Sequence, residues 1–100
     1  MQTISMRLIT IVAEPVLADR LTHDVQRLGA TGWTLTEGRG SGSRGTHAEE
    51  VPGSAVRLEC VATAEACARI LCELAEAYFP HYGVVAWVMP VDVVRGDKFA

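Results

Sequence analysis

Between Thr36 and Ser54 the chain reads TEGRGSGSRGTHAEEVPGS. Gly38, Gly40, Gly42 and Gly45 can take positive φ, which lets successive backbone N–H groups converge on an anion. Ser41 and Ser43 add short hydroxyl donors, and Arg39 and Arg44 add planar charged forks. The chemistry these residues could do is recognition of a phosphate or a carboxylate. On composition alone a flexible solvated linker is the commoner meaning of such a stretch. Two features argue for a site. The stretch is held at both ends by apolar segments that read as strands, and Arg95 and Lys98 follow the last apolar segment as further phosphate contacts.

Catalysis has no comparable signature. No Ser/His/Asp or Cys/His set has recognisable spacing. His23, His47 and His81 read as bystanders, and Glu49-Glu50 as a solvated charged pair. Cys60, Cys67 and Cys72 lack Cys-x-x-Cys spacing and read as reduced core thiols of a cytoplasmic protein. We therefore expect no catalytic residue, no metal site and no bound cofactor.

The totals narrow the class. One hundred residues make one domain, residues 1–100, and 49% hydrophobic composition suffices for a core. A net charge of −3 argues against a general nucleic-acid binder, while eight Arg against one Lys suits recognition of phosphate or carboxylate. No apolar run is long enough for a transmembrane helix.

The elements that must position the loop follow from periodicity. Ile4 to Val12 reads as a strand. Glu14-Pro15 starts a helix carrying Leu17, Leu21, Val25 and Leu28 on one face, and Gly29 stops it. Trp33 to Thr36 is a short strand, and the flexible ligand loop follows at about 38–54. Ala55 to Val61 alternates, with Val56, Leu58 and Cys60 on one face. Thr63 caps a second helix whose buried stripe is Ile70, Leu71, Leu74 and Tyr78, ended by Pro80. Gly83 to Met89 is apolar enough to predict cover on both faces. Pro90 should interrupt the ladder before a short piece over Val91 to Val94. The order β-α-β-loop-β-α-β predicts a ferredoxin-like α+β sandwich, an antiparallel four-stranded sheet with two helices on one face. Met89, Val91 and Val93 suggest that its other face is buried against another subunit.

The segment GATGWTLTEGRGSG, Gly29 to Gly42, resembles the start of the T-loop in PII signalling proteins, where a Gly-x-x-Gly-x-Thr-x-Thr-Glu strand runs into a Gly-x-Gly loop. The resemblance covers essentially the whole chain. It departs from classical PII in three places. No tyrosine lies between Arg44 and Ala55, the second loop PHYGV (Pro80 to Val84) is short, and the tail is VVRGDKF. GSGSRG with that tail looks more like the PII-like proteins of inorganic-carbon metabolism, both carboxysome-associated proteins and regulators of bicarbonate transporters.

The resemblance implies a homotrimer with adenine nucleotides in the clefts between subunits and a T-loop ordered by ligand. It implies Thr31 near the adenine and Arg39, Gly40, Ser41, Ser43 and Arg44 near phosphate. Gly83 and Val84 would stand for the second loop, and Arg95, Lys98 and Phe99 would reach in from the tail. A bicarbonate or other anion would sit on Gly40, Ser41, Gly42 and Arg44. The short second loop favours AMP, ADP or cyclic AMP over ATP. The protein partner would be a bicarbonate transporter or a carboxysome component. The alternative is a trimeric structural or metal-tolerance protein of the same fold that senses no nucleotide.

Overall fold

The computed structural model describes residues 2–39 and 54–95. Strand β1 spans Thr3–Ala13, helix α1 Ala18–Arg27, β2 Thr34–Gly38, β3 Ala55–Ala62, helix α2 Ala64–Glu73 and β4 Val85–Val94. A single 3-10 turn at Pro15–Leu17 leads into α1, and a π turn at Leu74–Tyr78 extends α2. The four strands form one antiparallel sheet in the order β2-β3-β1-β4. The two helices pack on one face, giving the expected ferredoxin-like arrangement.

Strand parity builds the core. Ile9, Ile11 and Ala13 of β1 and Val56, Leu58 and Cys60 of β3 point at the helices. They meet Leu17, Leu21 and Val25 from the first helical segment and Cys67, Ile70, Leu74 and Tyr78 from the second. Burying a side chain of this size stabilises by about 1.5–3 kcal/mol relative to exposure. Leu71 departs from the expected stripe and is 38% exposed, because it stands one residue round the helix from Ile70.

Two helix ends are fastened as their sequences require. The Thr63 hydroxyl accepts from the Ala66 N–H at 3.2 Å, so α2 is capped. At the end of α1, the Gly29 N–H donates to the Gln26 carbonyl and the Ala30 N–H to the Val25 carbonyl. This is a Schellman closure, and it needs the φ of +122° that Gly29 adopts. Arg69 Nε donates to the Leu28 carbonyl at 3.0 Å and ties α2 to the same end.

Strand β4 differs from the sequence expectation in two ways. It runs unbroken through Pro90, which lies opposite Arg7. An edge strand tolerates proline because one side of it makes no ladder. Its faces are also unequal. Ala86 and Val88 pack on the core, whereas Val85, Trp87 and Met89 on the opposite face are 54%, 43% and 52% exposed. The expected cover on both faces is present on one face of the subunit.

Gly29→Ala should lower unfolding stability by about 1–3 kcal/mol, because it would hold a side chain at strained positive φ. Its Cβ would also stand 2.9 Å from the Ala66 Cβ. Urea denaturation checks this, and an unchanged midpoint would contradict the Schellman assignment.

Candidate functional site

Pairing register decides which residues meet on the sheet face away from the helices. Leu35 of β2 turns toward the core, so Thr34 and Thr36 face the other way. Thr34 lies opposite Glu59, and Leu8 lies opposite Val61. These four residues, with Gly32, Trp33 and Cys60, line a recess of about 400 Å³. Leu8 and Val61 make it apolar, and Thr34 and Glu59 bring an acceptor-rich polar edge. An apolar recess with a few convergent polar groups suits a flat ring with hydrogen-bonding atoms on its rim. Thr31 is exposed and immediately precedes Gly32. The Trp33 indole N–H donates to Gln26 Oε1 at 3.3 Å, which fastens this segment to α1.

The recess has a charged neighbour. Arg57 Nη2 lies 3.6 Å from Glu59 Oε2, and the Arg57 guanidinium carbon is 5.8 Å from the centre of the Trp87 ring. Both side chains of the ion pair are well exposed, so the pair is worth at most about 1 kcal/mol and can exchange for a ligand at little cost. Cys60 reaches the recess from the strand, but its thiol belongs to the core. Burial, and then the neighbouring Cys67, push that thiol up to about 11.

The sheet carries the recess to the glycine loop. From Thr34 to Gly38 β2 advances about 14 Å at strand rise. Arg39 follows and is exposed, at the base of the loop. Gly83 and Val84 come to the same end of the sheet, since Val85 pairs with Val12 and Gly38 with Ala55. Val84 is buried in the core, so only its backbone can face a ligand. Arg95 leaves β4 at the opposite end, beyond the Thr3–Val94 pair, with a strained φ of 63°. Gly40, Ser41, Gly42, Ser43, Arg44, Lys98 and Phe99 lie outside the described residues.

Among the described residues, the expected ones therefore do not converge within one subunit. Thr31 and Arg39 belong to the β2 edge, and Gly83, Val84 and Arg95 to the β4 edge. Three inter-strand spacings, about 14 Å, separate these edges. Leu8, Glu59 and Val61 complete the recess, and the sequence reading did not single them out. Their alternation showed only that they share a face. The pairing that brings them beside Thr34 is a long-range property of the fold.

A second cluster lies in the helix layer. The Tyr78 hydroxyl donates to Asp24 Oδ2 at 2.6 Å, and burial together with this bond raises the Tyr78 phenol above its usual range. Arg20 stacks over the Tyr78 ring at 4.5 Å and donates to the Tyr82 hydroxyl at 3.3 Å. No group of three potential metal ligands occurs among the described residues.

The model of the nitrogen regulatory protein P-II family matches residues 6–98. A PII-like signalling protein of Thermus thermophilus is 45% identical over 100% of both chains, with a TM-score of 0.86. CPII of Thiomonas intermedia, solved with ADP and bicarbonate, is 20% identical and covers 99% of this chain and 98% of its own, with a TM-score of 0.88. The GlnK–ATP complex of B. subtilis is 16% identical over 87% of this chain and 82% of its own, at 0.63. At these lower identities the likeness concerns the fold. Among curated proteins no sequence matches.

The raised thiol and phenol give a pH dependence with a definite sign. Folded Cys60 and Tyr78 hold their protons more tightly than the unfolded chain does. Stability should be full below pH 9 and fall as pH rises from about 9 to about 11, with Tyr78 adding to the loss above pH 10. Urea denaturation across this range checks it, and a flat profile would contradict the burial of these groups.

Proposed function

The chain belongs to the nitrogen regulatory protein P-II family, and from that premise we propose that it is a regulatory protein that reads adenine nucleotides. AMP, ADP or cyclic AMP is favoured over ATP, and bicarbonate is the second ligand. The observation that carries this reading is the recess beside Thr34 on the strand that runs into the glycine-arginine loop. A base in the recess, against Leu8 and Val61 with its polar rim at Thr34 and Glu59, points its phosphates along β2 toward Arg39. Thr31 stands at the base end. Gly40, Ser41, Ser43 and Arg44 belong to the phosphate end of the same ligand, and bicarbonate takes Gly40, Ser41, Gly42 and Arg44.

The separation of the two edges supports a site between subunits. Arg39 and Gly83 lie at one end of the sheet and Arg95 at the other, so a ligand that uses all three, with Lys98 and Phe99 as further candidates, takes them from two copies of the chain. The exposed face bearing Trp87, Met89 and Val85 supplies the apolar surface that three copies would bury. ATP is disfavoured because residues 70–94 contain neither Lys nor Arg, so the second loop brings no permanent positive charge to terminal phosphates. The Thiomonas protein bound to ADP and bicarbonate motivates the pairing of ligands. Ligand binding repays part of the cost of ordering the loop, about 1–2 kcal/mol per fixed residue, so two ligands that order the same loop strengthen each other. The ordered loop is then the surface that a bicarbonate transporter or carboxysome component reads in the cytoplasm.

Calorimetric titration of AMP, ADP, cyclic AMP and ATP, each with and without bicarbonate, tests the reading. ADP or AMP should bind more tightly in bicarbonate, and Arg39→Ala should weaken ADP by about tenfold, the worth of one charge-assisted bond. No nucleotide heat under any condition would return the protein to the structural alternative. Light scattering should give the mass of a trimer, and Met89→Asp should shift it to the monomer. A monomeric unaltered chain would rule out the inter-subunit site.

A further inference from the structure

The turn between α2 and β4 is short, yet it is fastened from several sides. The Tyr78 carbonyl accepts from the N–H groups of both His81 and Tyr82, at 3.0 and 2.9 Å. The Phe79 N–H donates to the Leu74 carbonyl at 2.8 Å, closing the π turn. Tyr82 packs on the core, and the buried Val84 anchors the far side. Gly83 lies between those two anchors.

Arg20 supplies the link to α1. Its guanidinium carbon lies 4.5 Å from the centre of the Tyr78 ring and 5.7 Å from that of Tyr82, and Nη1 donates to the Tyr82 hydroxyl at 3.3 Å. Tyr78 is itself tied to α1 through Asp24. One exposed arginine thus bridges the first turn of α1 to Tyr78 of the π turn and Tyr82 of PHYGV, at the end of the sheet where the glycine loop begins. A surface arginine needed only for solubility would have no reason both to sit over the Tyr78 ring and to bond the Tyr82 hydroxyl.

We propose that Arg20 is a positioning residue for the phosphate end of the nucleotide site, acting through Tyr82 on the turn that presents Gly83. The proposal rests on the nucleotide reading above. In that reading the turn carries neither Lys nor Arg, so its contribution is the placement of its backbone. Arg20 and Tyr82 hold that placement without touching the ligand.

The test measures AMP and ADP affinity by calorimetry for the unaltered chain, Arg20→Ala, Arg20→Lys and Tyr82→Phe, with thermal unfolding alongside. The readout is the ratio of ADP to AMP affinity. A merely structural role lowers both affinities together, whereas misplacement of the turn acts on the longer phosphate chain. In Arg20→Ala the ratio should fall about threefold to tenfold, the range of one hydrogen bond between polar groups. Arg20→Lys, which keeps the charge without the flat fork, should recover it in part. Tyr82→Phe removes only the hydroxyl and gives the same direction should Arg20→Ala fail to fold. A ratio unchanged in the folded variants overturns the proposal while leaving the nucleotide reading intact. Absence of any nucleotide binding by the unaltered chain overturns both.

Discussion

The antiparallel pairing of β1 with β3 on one side and with β4 on the other is the reference for everything else in the subunit. β1 contributes Ile9, Ile11 and Ala13 to the core and Leu8 to the recess on the opposite face. A slip of one residue in either pairing would exchange these sets, because strand side chains alternate. The register therefore specifies the core and the recess together. It also places the loop base, the second turn and Arg95 at particular ends and edges.

The uncovered sheet face follows from the same arrangement. Two helices cover only one side, and the other keeps Ile4, Val85, Trp87 and Met89 at least 40% exposed. A contiguous apolar face of this kind is costly in water. It also carries charge, since the Arg57–Glu59 pair stands among these residues with Arg57 near Trp87. Burying such a face in an assembly would bring desolvated charge and the recess into the same interior. Ligand and subunit contact would then be energetically coupled rather than separate properties.

The helix layer contributes rigidity. α1 is closed by the Gly29 Schellman motif and joined to α2 by Arg69 on the Leu28 carbonyl. Arg27 bridges Asp24 and Glu73 at 3.4 and 3.2 Å, and Tyr78 bonds Asp24 from the π turn. These exposed ion pairs are individually weak. The buried Tyr78 hydroxyl bond is of a different kind, because leaving either partner unpaired would cost the full desolvation of a polar group. It ties the outer layer to the turn before β4.

Much of this was legible in the residues themselves. Alternation in Ala55 to Val61, the Thr63 cap and Gly29 as a helix stop report local sterics and hydrogen bonding, which depend on a few neighbouring residues. The motif from Gly29 to Gly42 declared a family, which the match over residues 6–98 shows. Pro90 misled because its effect depends on whether its strand is central or at the edge, a fact of sheet order. Leu71 misled because a helical stripe has a width that only packing against a particular sheet defines. The recess formed by Leu8, Glu59 and Val61 beside Thr34 was out of reach for the same reason. Sequence by itself determined the elements, since these rest on local backbone and side-chain preferences. Only the tertiary structure decided which face stays open and which residues share the recess, because those depend on the register of strands far apart in the chain.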